Sequence, residues 1–202
     1  FSDVTQWSGV AELRAPGMGV LAADFDGDGD SDVLVANDQQ GNFLLINDGT
    51  GRFEEQGVLL GVAFDRQGKA NGNMGLEFAD LDGDRELDIL TTTYQEEMPV
   101  YYQSLGDGFY SDSTNLAQWS SRLIAHVNWG IGAIDFDNDG DRDVMIACGH
   151  FLDNIAYIDD RTQMKVGNFL LANDGRGRFV DVSGLAGPAM SVVESSRSVG
   201  FD

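Results

Sequence analysis

Three nine-residue windows carry an acid at every odd position: Asp24–Asp32 (D-F-D-G-D-G-D-S-D), Asp80–Asp88 (D-L-D-G-D-R-E-L-D) and Asp135–Asp143 (D-F-D-N-D-G-D-R-D). Carboxylates crowded this tightly repel one another. A hard divalent cation removes that cost, and calcium suits it best because it accepts six to eight oxygen ligands in irregular geometry. A solvated acidic surface is the ordinary reading of a charge run, but three copies with the same internal spacing argue for three calcium loops, about three ions in all. Side chains at positions 1, 3, 5 and 9, with the carbonyl at position 7, form the expected ligand sets. These are Asp24, Asp26, Asp28, Asp30 and Asp32; Asp80, Asp82, Asp84, Glu86 and Asp88; and Asp135, Asp137, Asp139, Asp141 and Asp143.

The windows are not EF-hands. An EF-hand needs a bidentate Glu at position 12 and flanking helices, whereas position 12 here is Val35, Thr91 and Ile146. The flanks are short apolar or β-branched runs, such as residues 19–23 and 33–36, which read as buried strands. Each window therefore joins two strands. Position 6 is Gly29, Arg85 and Gly140, so the second copy departs by placing a positive charge beside its site.

Further along each copy an apolar run precedes a turn: residues 43–46 before Asn47-Asp48-Gly49, and residues 169–172 before Asn173-Asp174-Gly175, with a degenerate version at residues 100–109. Asn, Asp and Gly accept positive φ, so these clusters mark hairpins. One repeat is then strand, acidic loop, strand, connection, strand, Asn-Asp-Gly turn, strand. The acidic windows recur at spacings of 56 and 55 residues, too long for the coils of a β-helix and too regular for a sandwich. A four-stranded unit at this period predicts an all-β chain of β-propeller blades. The predicted blades are residues 17–60, 73–112 and 128–187, with partial blades at 1–10 and 195–202. The expected whole is a single propeller segment, part of a larger propeller of about seven blades. Both ends are expected to fall inside blades, Phe1 in a last strand and Asp202 in a first, so we read the chain as an ordered piece of a longer protein. Closure against other chains is the alternative.

In such a meander the acidic loops and the Asn-Asp-Gly turns lie at one end, and the variable connections 61–74, 113–128 and 149–166 lie at the other. Function in repeat scaffolds sits in variable loops. Trp119, Arg122, His126, Phe151, Tyr157 and Arg161 are therefore the candidate partner-binding residues, aromatics and arginine being common interface anchors. The competing reading is that these loops only pack on neighbouring blades.

Charge bounds the partners. The chain has 34 acids against 12 basic residues, a formal charge of −22, and fifteen of the acids lie in the three windows. Nucleic acid and anionic membrane need basic patches, so neither is expected. The 26 glycines and three prolines fit a turn-rich all-β protein, and the sequence has neither an apolar run of membrane-spanning length nor a leader pattern. Because the chain starts at Phe1 without methionine, upstream processing or truncation is expected. The single cysteine, Cys148, is expected to be a buried, inert thiol. Weak multi-carboxylate calcium sites fill where calcium is about millimolar, which points outside the cytosol.

These repeats resemble FG-GAP or VCBS repeats, the calcium-loop blades also found in the integrin α head. The resemblance is closer to the cartilage acidic protein-like (ASPIC/UnbV) family. It is carried by Asn128-Trp129-Gly130-Ile131-Gly132 before the third window, Cys148-Gly149-His150, Asp153-Asn154, residues 167–179, Asp181-Val182-Ser183 and Ser196-Arg197-Ser198-Val199-Gly200. It implies a secreted, periplasmic or surface protein, with propellers of about seven blades that serve adhesion or protein binding rather than catalysis.

The residues agree in offering little catalysis. His126 and His150 are the only histidines, and no G-x-S-x-G elbow or H-E-x-x-H pair exists. The aspartates that could serve a glycosidase are better accounted for as calcium ligands. The leading reading is a non-enzymatic calcium-binding scaffold that binds a protein partner. A carbohydrate-binding, lectin-like propeller is the alternative, and a propeller hydrolase or lyase the third, since fold does not fix function.

Overall fold

Each acidic window forms the corner between two paired strands. In the computed structural model, which describes residues 2–201, Ala23 pairs with Asp32, Ala79 with Asp88 and Ile134 with Asp143. The first sheet comprises β1 (Gly17–Ala23), β2 (Asp32–Asn37), β3 (Phe43–Asn47) and β4 (Phe53–Glu55), antiparallel and in that order. The second repeats it with β5 (Asn73–Ala79), β6 (Asp88–Thr93), β7 (Val100–Ser104) and β8 (Tyr110–Asp112). The third uses β9 (Asn128–Ile134), β10 (Asp143–Cys148), β12 (Phe169–Asn173) and β13 (Phe179–Asp181). The insertion after β10 carries β11 (Val166–Gly167), which pairs with β14 (Val193–Glu194) outside that sheet. The chain is all-β and built of four-stranded β-propeller blades.

The blades stack face to face, and this sets the hydrophobic pattern. All six residues of β6 are buried, because the middle blade is covered on both sides. Alternate side chains then serve different neighbours. Ile89, Val100 and Tyr102 join Phe25, Leu34 and Leu44 in one core, while Leu90 and Tyr101 join Ile131, Val144, Ile146 and Phe169 in the other. A strand buried on both faces shows no apolar–polar alternation, so the middle strands are near-continuous apolar or β-branched runs.

Close approaches along the inner strands and at the outer edge set the blade spacing. On the innermost strands, a Cβ at Gly19 would lie 2.5 Å from the Met74 carbonyl oxygen, and one at Gly130 would lie 2.6 Å from Ser198 Cα. Gly75 meets the Trp129 carbonyl oxygen in the same way. At the outer edge, the turns at residues 8–9, 61 and 117–118 lean on the last strand of the following blade. Phe53 N donates to Ser8 O, and Phe179 N to Ala117 O, both at 2.8 Å. Each of these turns, and the one after β13, contains a residue in left-handed backbone: Gly9 (φ 89°), Gly61 (φ 90°), Gln118 (φ 55°) and Gly187 (φ 91°).

The terminal segments differ from the expected partial blades. Phe1 and Asp202 lie outside the described residues. Residues 2–10 form turns with no strand, although Thr5 N donates to Asp3 Oδ1 at 2.9 Å, as Ser183 N does to Asp181. Residues 195–201 run beside β9 without joining its ladder, and Ser196 N donates to Cys148 O at 3.0 Å.

Candidate metal centres and the opposite face

The three acidic corners share one hydrogen-bond scheme. The carboxylate at position 9 is fully buried in each copy. Its Oδ2 accepts from the backbone N–H of position 2: Phe25 at 2.9 Å, Leu81 at 3.2 Å and Phe136 at 3.0 Å. Its Oδ1 accepts from the N–H opening the outer turn, Asn47, Ser104 or Asn173, each at 2.8 Å. Position 9 thus ties the acidic loop to the outer turn of its own blade. The position 1 carboxylate accepts from the N–H of position 6 in every copy: Gly29 at 3.0 Å, and Arg85 and Gly140 at 3.1 Å. The position 5 carboxylate accepts from position 7 at 2.8–2.9 Å. These short-range bonds fold the loop tightly and require left-handed backbone at position 6, where Gly29, Arg85 and Gly140 have φ of 95°, 76° and 100°.

The result is a convergent all-oxygen donor set. Carboxylate oxygens of Asp24, Asp26 and Asp32 lie within 4.8 Å of one another, as do those of Asp80, Asp82 and Asp84, and of Asp135, Asp137 and Asp143. Oxygens bound 2.3–2.6 Å from one calcium ion lie at most about 5 Å apart, so each cluster can hold such a cation without rearranging its strands. Donor chemistry and spacing both fit a hard divalent ion. Burial raises the carboxyl pKa of Asp26, Asp84 and Asp143 from the usual range, and lifts Asp88 to about 7.

The second copy is distinct. Asp88 is outside its convergent trio, which takes Asp84 instead. Here Tyr101 Oη donates to Asp88 Oδ2 at 3.0 Å. Register places Leu44 and Leu170 at the matching positions of the other blades, so only this blade has a phenol directed at its position 9 carboxylate. Sequence reasoning passed over Tyr101, because a tyrosine in an apolar strand reads as core. It also passed over Asn47, Ser104 and Asn173 as clamps, although the recurrent Asn-Asp-Gly turns carried that signal.

At the opposite end the predicted partner-binding residues separate. Trp119, expected to be exposed, is 8% exposed and stacks on Phe179 at 4.7 Å with an interplanar angle of 3°. The loop after β8 folds back over the next blade, so this indole belongs to the inter-blade core. Arg122 lies 4.9 Å from the Phe169 ring and pairs with Asp181 at 2.9 Å. His126 is part-buried, with Nδ1 2.9 Å from Thr162 Oγ1. Phe151 and Tyr157 are exposed, Tyr157 at 94%. Arg161 pairs with Asp159 of its own insertion at 2.7 Å and, through Glu96, joins the insertion to the loop after β6. Of the predicted residues, Phe151, Tyr157 and Arg161 of the insertion are accessible, and Arg122 is exposed as well but held by Asp181.

His150 is buried, accepts from Leu152 N at 3.0 Å and faces Tyr94 Oη at 3.4 Å. Cys148 is fully buried, and burial pushes its thiol up to about 12. It is the inert thiol expected. Among the described residues no helix is long and apolar enough to cross a membrane.

A model of the FG-GAP-like repeat matches residues 24–91 and, overlapping, residues 80–146. No curated protein matches the sequence. Among solved structures, the chain is similar to a lectin of Agrocybe aegerita described by its specific recognition of non-reducing terminal N-acetylglucosamine. The two are 20% identical, with a TM-score of 0.45 over 80% of this chain, which spans only 36% of the lectin.

Proposed function

Because the chain belongs to the FG-GAP-like repeat family, we propose that it is a non-enzymatic, calcium-stabilised interaction module working outside the cytosol. The observation carrying this reading is the threefold recurrence of one convergent carboxylate corner. Calcium binds at Asp24–Asp32, Asp80–Asp88 and Asp135–Asp143 and cancels repulsion at the ends of the inner hairpins. The strands it braces then hold the connections at the other end in fixed positions. We assign partner binding to that other end, with Tyr157, Phe151 and Arg161 as its accessible anchors. The partner is a protein, and carbohydrate recognition is the second reading. Within the family we place the chain nearest the cartilage acidic protein-like branch, on the Asn128–Gly132, Cys148–His150 and Ser196–Gly200 sequences. The three sheets are blades of a larger propeller.

Calorimetric titration of the chain with calcium tests the metal assignment, with about three ions per chain as the expected stoichiometry. Absence of binding at millimolar calcium would remove it. Conversion of Tyr157 to Ser should leave calcium binding unchanged while weakening partner capture.

A further inference from the structure

The loops after β4, β6 and β8 enclose a cleft of about 480 Å³ at the end away from the acidic corners. Its size suits a small ligand. The acidic groups along it are already engaged by the protein, whereas among the described residues the Arg66 guanidinium has no ion-pair partner. Asp65 accepts from the N–H groups of Gln67 and Lys69 at 3.0 and 2.8 Å. Asp112 accepts from those of Arg66 and Thr114, both at 2.8 Å. Glu97 pairs with Lys69 at 2.6 Å and accepts from Gly72 N at 2.7 Å.

Four neutral side chains in the same lining are free. Among the described residues, the amides of Gln67, Asn71, Asn115 and Gln118 make no hydrogen bond to the protein. Each offers both donors and an acceptor. Beside them Trp119 lines the cleft with a buried Nε1–H that has no acceptor, and an unpaired buried donor is costly. Gln118 holds left-handed backbone where the three sibling turns have glycine. A residue kept under backbone strain at a cleft is a pointer to function.

We propose that this cleft is a saccharide-binding subsite. An array of unengaged carboxamides matches the paired donor and acceptor character of vicinal hydroxyl groups. It suits a neutral polyhydroxylated ligand, because the acidic groups here already accept hydrogen bonds from the protein, and the Arg66 guanidinium in the same lining adds donors for hydroxyl oxygens. The proposal rests on the reading of this end as the binding surface, and gives it a ligand class. The sugar comes from a glycan on a partner protein or from a free polysaccharide.

The test is a glycan array and titration with methyl glycosides of glucose, galactose, mannose, fucose and N-acetylglucosamine, using the whole chain with calcium. At least one saccharide should bind, and Asn115→Ala should weaken it tenfold or more without changing the melting temperature. Gln118→Gly should weaken binding similarly while raising the melting temperature, since it removes the amide and the strain together. Binding to a glycoprotein that vanishes on enzymatic deglycosylation identifies a partner glycan; binding to polysaccharide alone identifies the other source. No saccharide bound at millimolar concentration, or binding unaffected by both substitutions, overturns the subsite. If a partner protein is still captured in a Tyr157-dependent way after that result, the binding-surface reading survives without the sugar.

Discussion

Gly75 lies against the carbonyl oxygen of Trp129 so closely that no Cβ fits between them. Gly19 and Gly130 repeat the contact one blade to either side, so the inner strands meet through backbone. A methyl group at residue 75 must push two blades apart, and overpacking of this kind costs about 1–3 kcal/mol. Gly75→Ala should lower stability by that amount in denaturant titration. Gly184→Ala, at an exposed position with no neighbour within 4 Å, should stay within about 0.5 kcal/mol. Equal effects would show that blade spacing does not depend on the inner glycines.

Much of this was legible in the sequence. The acidic windows gave the period, the hairpin corners and the clustered carboxylates, because charge spacing and strand patterning are local properties. The fate of Trp119 was not legible. Whether a loop indole faces solvent or stacks on Phe179 depends on the next blade, some 60 residues further along. The left-handed turn at Gln118 was hidden too, since glycine marks that position only in the sibling turns. Tyr101 was obscured because its ring serves the core while its hydroxyl serves Asp88.

Tyr101 supplies one of three donors to the buried Asp88 carboxylate. A hydrogen bond to a charged acceptor contributes about 1.5–3 kcal/mol. Tyr101→Phe should therefore destabilise the chelator-treated protein by that order. Calcium nearby supplies competing positive charge, so the loss should shrink when calcium is present. A loss of equal size in both conditions would separate Asp88 from the second metal centre.

Arg85 occupies left-handed backbone at the position where Gly29 and Gly140 stand in the other loops. A non-glycine residue there is strained by about 1–2 kcal/mol, and the added unfolded freedom of glycine offsets about 0.4–1 of it. Arg85→Gly should thus stabilise the chain slightly. It should also tighten calcium at the second loop by removing a repelling charge. Thermal melts paired with calcium titration check both effects, and a lower melting temperature would contradict the strain argument.

The stacked pair Trp119–Phe179 makes residue 119 a poor probe of binding. Trp119→Ala should cost about 3–5 kcal/mol through the cavity it leaves, whereas Trp119→Phe keeps the aromatic contact and should cost much less. Tyr157→Ala, at a side chain 94% exposed, should stay within about 0.5 kcal/mol. Urea titrations of the three variants would show whether the ranking holds, and a mild Trp119→Ala phenotype would place the indole outside the core.

Calcium removal addresses all three corners together. Each brings three carboxylates within 4.8 Å of one another, a repulsive arrangement in the absence of a cation. A ligand at 100 times its dissociation constant stabilises the folded state by about 2.7 kcal/mol per site. For a chain of this size each kcal/mol moves the melting temperature by about 2–4 °C. With three sites, excess chelator should therefore lower the melting temperature by on the order of 15–30 °C, and added calcium should restore it. Magnesium should restore it poorly, because it prefers a smaller, near-octahedral shell. Asp24→Asn should reproduce part of the fall in calcium and little of it in chelator, since in chelator the lost charge no longer serves a cation. An unchanged melt in chelator, with metal analysis confirming removal, would mean that backbone N–H groups alone hold the acidic corners together.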